Sequence, residues 1–101
     1  MIKHIVMWKL KDYAEGLNKY ENARHIKKML EGLKSKIPEI HYIEVGISIN
    51  DCDTAYDVVL YSEFEDEHAL EAYAKYQEHI EISSYVRKVR ETRAAVDYIV
   101  S

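Results

Sequence analysis

Ile2, His4, Val6, Trp8 and Leu10 alternate with Lys3, Ile5, Met7, Lys9 and Lys11, and a period of two predicts a strand over residues 2–10. The period then changes. Leu17, Tyr20, Ala23, Ile26, Met29, Leu30, Leu33 and Ile37 follow helical spacing with Lys, Glu, Asn and Arg between them. This predicts one long amphipathic helix over about 17–37, ended ahead of Pro38 because proline disfavours helical geometry in the residue before it. Alternation returns at 41–49, where His41, Ile43, Val45, Ile47 and Ile49 oppose Tyr42, Glu44, Gly46 and Ser48. Turn residues from Asn50 to Thr54 join this strand in a hairpin to a third one that starts at Tyr56. The third strand, with Tyr56, Val58, Val59, Leu60, Tyr61 and Phe64, is apolar in both registers, as expected of a strand covered on two faces. After Asp66 at an N-cap position, Leu70, Tyr73, Ala74 and Tyr76 resume helical spacing, and His79 falls where that helix is expected to end. A further helical stretch carries Ile82, Tyr85, Val86 and Val89, with Arg87, Lys88 and Arg90 near its end, where cations suit the helix dipole. The last strand sets Ala94, Val96, Tyr98 and Val100 against Arg93, Ala95, Asp97 and Ile99.

The order βαββαβ is that of an α+β domain, a four-stranded antiparallel sheet with both helices on one face and the first and third strands central. If Val6, Trp8, Leu60 and Phe64 face the helices, the other face still carries Ile5, Met7, Tyr42, Val59, Tyr61, Ala95 and Ile99. An apolar patch of that size exceeds the few hundred Å² that monomers leave bare. A homodimer paired through the open sheet face covers it most simply. Asp57 and Glu63 belong at strand ends, wet or paired with Arg93 or a lysine.

Composition narrows the function classes. At 101 residues, 48% hydrophobic and 32% charged, with three Gly and one Pro, the chain is expected to be a single domain over 1–101 without a linker. A formal charge of −4 argues against a nucleic-acid partner, which needs a basic face to displace counterions. No apolar run approaches the ~20 residues of a membrane span, and Met1 to His4 lacks signal-peptide features, so a cytoplasmic location is expected. The single Cys52 sits in a polar turn and is expected to be an incidental thiol.

Several ordered motifs carry a family resemblance. The chain opens with His4, Val6 and Lys9, continues with Tyr56-Asp57, Val58 to Leu60, Ser62 and Phe64, then Leu70, Tyr73 and His79, and closes on Val96-Asp97-Tyr98. This set resembles the stress-responsive A/B barrel (Dabb) family over nearly the whole chain. The resemblance implies a ferredoxin-like βαββαβ protomer whose sheet pairs with a second copy in a dimeric α+β barrel; no cofactor is expected. Members of the family mostly lack an assigned activity. One branch, the plant polyketide cyclases, uses a His and a Tyr in a cavity between sheet and helices for an aldol cyclisation. Tyr73 and His79 resemble that pair, His4 resembles a cavity-lining His, and Val58 stands where the branch has a second cavity His. The family's His-Pro-x-His run here reads Tyr76-Gln77-Glu78-His79, so a changed helix end that turns His79 away is one expectation.

Two readings of these residues follow. In one, His79 is a general base, Tyr73 donates to a developing enolate oxygen, and His4, Val6, Trp8, Val58 and Leu60 line a site for a small apolar or aromatic ligand. In the other, the protein is a homodimeric stress-associated or accessory protein without turnover, Tyr73 is a core aromatic, His79 caps a helix C-terminus, and His4 is a buried structural histidine that needs a partner. A monooxygenase of the wider barrel superfamily is a third alternative without a cofactor signature. His25, His41 and His68 form no His-x-x-x-His pair, and Glu65 with His68 supplies a single Glu-x-x-His, so no metal site is expected.

Overall fold

In a computed structural model, which describes residues 1–101, the elements in chain order begin with β1 (Ile2–Leu10), a short ribbon of β2 (Tyr13–Ala14) and β3 (Leu17–Asn18), and α1 (Lys19–Glu31). A 3-10 turn (Gly32–Ser35), β4 (Ile40–Ile47), β5 (Val58–Phe64), α2 (Glu67–Lys75), α3 (Gln77–Val89) and β6 (Arg90–Ile99) follow. The main sheet runs β4-β5-β1-β6, antiparallel throughout, so the first and third of the four long strands are central as expected. This is the ferredoxin-like α+β arrangement. No helix is long and apolar enough to cross a membrane.

Local chemistry shortens the first helix at both ends. The Asn18 side chain accepts from the Glu21 amide at 2.9 Å, and the Glu21 carboxylate accepts from the Asn18 amide at 3.0 Å. This capping box starts α1 at Lys19 rather than Leu17. Leu17 pairs instead with Ala14 across a two-residue turn in which Glu15 and Gly16 both have positive φ, 52° and 79°. That geometry is the one tight hairpins use, and glycine adopts it without steric cost. At the other end the chain tightens into the 3-10 turn at Gly32, which still delivers Leu33 to the core.

The stretch after Asp66 holds a break that the apolar spacing hides. Tyr76 is extended (φ −64°, ψ 139°) and ends α2 while starting α3. Its hydroxyl donates to Glu39 at 2.8 Å, pinning the corner to the segment ahead of β4. His79 therefore lies in the first turn of α3 and not at a helix C-terminus. Gln77 takes the first helical position, where an amide has no intrahelical partner and proline is merely well suited, so glutamine substitutes without turning His79 away.

Sheet register corrects one face. Val6 pairs with Ala95, His4 with Asp97 and Ile5 with Val96, and directly paired residues share a face. Ala95 and Ile99 thus lie on the helix side, while Val96 and Tyr98 join Ile5, Met7, Val59, Tyr61 and Tyr42 on the open face. The phase of β6 is set by a register shift at Lys9/Leu10, invisible to alternation alone. Glu63 pairs with Lys3 at 2.7 Å on the open face. Asp57 does not meet Arg93; it accepts from the Leu10 amide at 2.7 Å, with Lys19 3.8 Å away.

The core lies between the sheet's other face and the helices, where Val6, Leu60 and Phe64 meet Ile26, Leu30, Tyr73 and Val89. Fully buried Asn22 ties α3 to α1: its amide donates to the Ala14 carbonyl at 3.0 Å, and its oxygen accepts from the Tyr85 hydroxyl. The helices leave β6 largely uncovered, so this strand is exposed at most positions.

Candidate functional site

A cavity of about 330 Å³ opens between the sheet and α3. His4, Val6 and Trp8 of β1 and Leu60 of β5 form its floor. Tyr73 of α2 and His79, Ile82, Ser83 and Val86 of α3 enclose it, together with Leu30. The helix break at Tyr76 makes this arrangement, because it lets the last turn of α2 and the first turn of α3 face the same space. Tyr73 and His79 have ring centroids 4.4 Å apart, and His4 stands 6.2 Å from Tyr73. Six of the seven residues singled out in the sequence line this one cavity. Val58 does not: it is buried in the core, paired with Trp8 and Ile47, beyond the cavity wall.

His4 finds its partner in Asp97, whose carboxylate accepts from Nδ1. The pair follows from register, since the two residues stand opposite each other on neighbouring strands. One ring atom of His79 and the Tyr73 hydroxyl lack such a partner. Tyr73 Oη and His79 Nδ1 are buried without a hydrogen-bond partner, a condition that costs about 1–3 kcal/mol for a polar group. Buried polar atoms without partners are rare enough in native proteins to need a reason.

Electrostatics keeps both groups neutral at pH 7. Burial pushes the Tyr73 hydroxyl well above the usual phenol range, so it stays a donor. Burial also lowers His79 below 6.5; a hydrogen bond to the Ala74 carbonyl opposes this, and the charge of Arg93 adds to it. A neutral imidazole can accept a proton. The depressed value has a consequence for stability. Below about pH 6.5 the unfolded chain binds a proton at His79 that the folded chain resists, so the stability contributed above that pH is lost as pH falls through the folded value. Urea unfolding at about pH 7.5 and 5.5 is expected to show a larger acid-induced loss for the wild type than for His79→Gln.

Sequence patterning missed Asp97, Ser83 and three arginines, Arg87, Arg90 and Arg93, all three of which line the cavity. The signal was present in Arg93, Ala95 and Asp97, which share one face of β6, but the phase of that strand relative to β1 is needed to use it.

The fold is shared with proteins of known structure. The crystal structure of a dimeric protein of unknown function with a ferredoxin-like fold from Bacteroides fragilis is 33% identical, with a TM-score of 0.81 over 96% of this chain and 93% of that one. A Dabb family protein with a ferredoxin-like fold from Mesorhizobium loti is 24% identical, TM-score 0.69, over 99% and 96% of the two chains. A hydroxynitrile lyase from Passiflora edulis, 16% identical, shares the fold with a TM-score of 0.81 over 99% of this chain and 93% of that one. No curated protein matches the chain. The family model described as Stress Responsive A/B Barrel Domain matches residues 2–100, and the chain therefore belongs to the Dabb family.

Proposed function

We propose that this protein is a homodimeric enzyme of polyketide-cyclase type, acting by proton abstraction next to a carbonyl of a small aromatic or β-keto molecule. The observation that carries the reading is the pair of buried, partnerless atoms, Tyr73 Oη and His79 Nδ1, in residues that line one cavity. The neutral His79 imidazole removes a proton α to the carbonyl, and the electron pair of the broken C–H bond moves onto the carbonyl oxygen. The Tyr73 hydroxyl donates to that enolate oxygen. The enolate carbon then attacks a second carbonyl of the same molecule, whose π electrons go to its oxygen and take the proton back from the His79 imidazolium, or the carbon itself takes that proton back. His4, oriented by Asp97, borders the substrate, whose apolar body rests on Val6, Trp8 and Leu60. The cavity volume lies at the small end of the roughly 300–1,000 Å³ range of ligand pockets.

A second reading, a ligand-holding accessory protein without turnover, is supported by the enclosure of Tyr73, only 1% exposed. Incubation of the wild type with benzylacetone and benzoylacetone in D2O separates the two. Protein-dependent loss of the α-proton signals supports the enzyme, and exchange at the buffer rate leaves the accessory protein.

The open face supports the dimer. Val96, Tyr98 and Tyr42 are 52%, 43% and 44% exposed there, around Ile5 and Met7. A two-fold copy laid on this face leaves the cavity mouth on the other side of the sheet free. Light scattering is expected to give the mass of two chains for the wild type and of one chain for the double substitution Ile5→Lys and Val96→Lys, which puts charges on the apolar open face of both copies. A wild type with the mass of one chain contradicts the dimer.

A further inference from the structure

Among the residues that line the cavity, none is acidic and three are arginines. Arg87 and Arg90 lie three residues apart at the end of α3, and Arg93 faces the same space from β6, paired with Trp8. None of the three guanidinium groups has a carboxylate within ion-pair distance, although the protein carries more acidic than basic residues. On β6, Asp97 is engaged by His4, and Glu91, between Arg90 and Arg93 in the chain, makes no ion pair with either. The helix dipole accounts for cations at the end of α3, but not for Arg93, which stands on a strand. Three unpaired like charges around one apolar cavity repel one another, and an anion among them relieves that repulsion. Guanidinium forks are suited to binding carboxylate or phosphate oxygens in bidentate fashion.

We propose that the ligand of this cavity is an apolar molecule with an anionic head group, carboxylate or phosphate, held at the mouth by Arg87, Arg90 and Arg93 while its carbonyl-bearing body extends inward toward Tyr73 and His79. This rests on the reading of the cavity as a carbonyl site and adds the charge of the molecule that enters it. The bare strand β6 supplies the opening, since no helix shields Arg93. Selection between a ketone and the corresponding keto acid is then a function of the three arginines and independent of the acid–base pair.

Calorimetric titration tests the head group with matched probes: benzoylpropionate, its uncharged amide benzoylpropionamide, and phenylpropyl phosphate. The anionic probes are expected to bind at least tenfold more tightly than the amide, and to weaken as salt is raised. In the triple substitution Arg87→Gln, Arg90→Gln, Arg93→Gln the advantage of the anions is expected to fall at least tenfold with amide binding changed less than twofold. Lys88→Gln, outside the cavity lining, is expected to leave both within twofold. A tighter carboxylate or a tighter phosphate assigns the head group. Equal binding of anion and amide by the wild type overturns the anionic ligand while leaving the carbonyl site standing. Binding of none of the three probes overturns both.

Discussion

His79→Ala is expected to lower protein-dependent α-proton exchange by roughly 10²–10⁴-fold, the usual contribution of a positioned general base. Three properties of His79 meet in the structure. The imidazole borders the cavity, it is kept neutral by burial, and its Nδ1 has no internal partner to hold it in another role. Tyr73→Phe is expected to cost about 10²–10³-fold, as loss of a donor to a developing oxyanion does. The two substitutions differ in a second readout. Tyr73→Phe removes a hydroxyl that is buried and unpartnered, so the variant is expected to unfold at the same or a higher urea concentration than the wild type. A stability gain with an activity loss is the signature of a polar group kept for function. If Tyr73→Phe is instead strongly destabilised, the hydroxyl has a structural partner and the catalytic reading of Tyr73 fails.

Phe64→Ala is expected to destabilise the fold by about 3–5 kcal/mol, at the upper end for a single core truncation. Phe64 has no solvent exposure, pairs with Ile2 and Ile40 across both of its neighbouring strands, and stands 4.9 Å from the Tyr73 ring. It is thus the rear support of the site as well as the junction of β1, β4 and β5. Since a domain is typically stable by only about 5–15 kcal/mol, the variant is expected to be partly unfolded near 37 °C. Phe64→Leu keeps most of the volume and is expected to cost less than half as much. Urea unfolding at one fixed protein concentration checks both, because the midpoint of the proposed dimer depends on concentration. A loss under about 1 kcal/mol for Phe64→Ala contradicts a tightly packed support behind Tyr73.

Much of this architecture was legible in the sequence because burial imposes a period. The alternation of β1 and the doubly apolar β5 place both central strands, and the same double pattern puts Ile5, Met7, Val59 and Tyr61 on the open face. Features that depend on one hydrogen bond or one register step were not legible. The Asn18 capping box shortens α1 without altering its apolar spacing. The extended Tyr76 divides α2 from α3 while Tyr73, Tyr76, Ile80 and their neighbours still recur at helical intervals. The phase of β6 depends on a shift at Lys9/Leu10, and with it went Asp97 as the partner of His4 and Arg93 as a cavity residue. Tyr73 and His79 were found by motif; that both carry buried, unpaired atoms is a three-dimensional fact.

Methyl and aromatic proton–carbon correlation spectra of the labelled protein, recorded while benzylacetone is added, test most directly whether the space beside Tyr73 and His79 receives a carbonyl ligand. Shifts are expected to concentrate at Val6, Leu60, Ile82 and Val86 and at the Tyr73 and His79 rings. Shifts confined to the open sheet face, or none at saturating ligand, contradict a carbonyl site in the cavity.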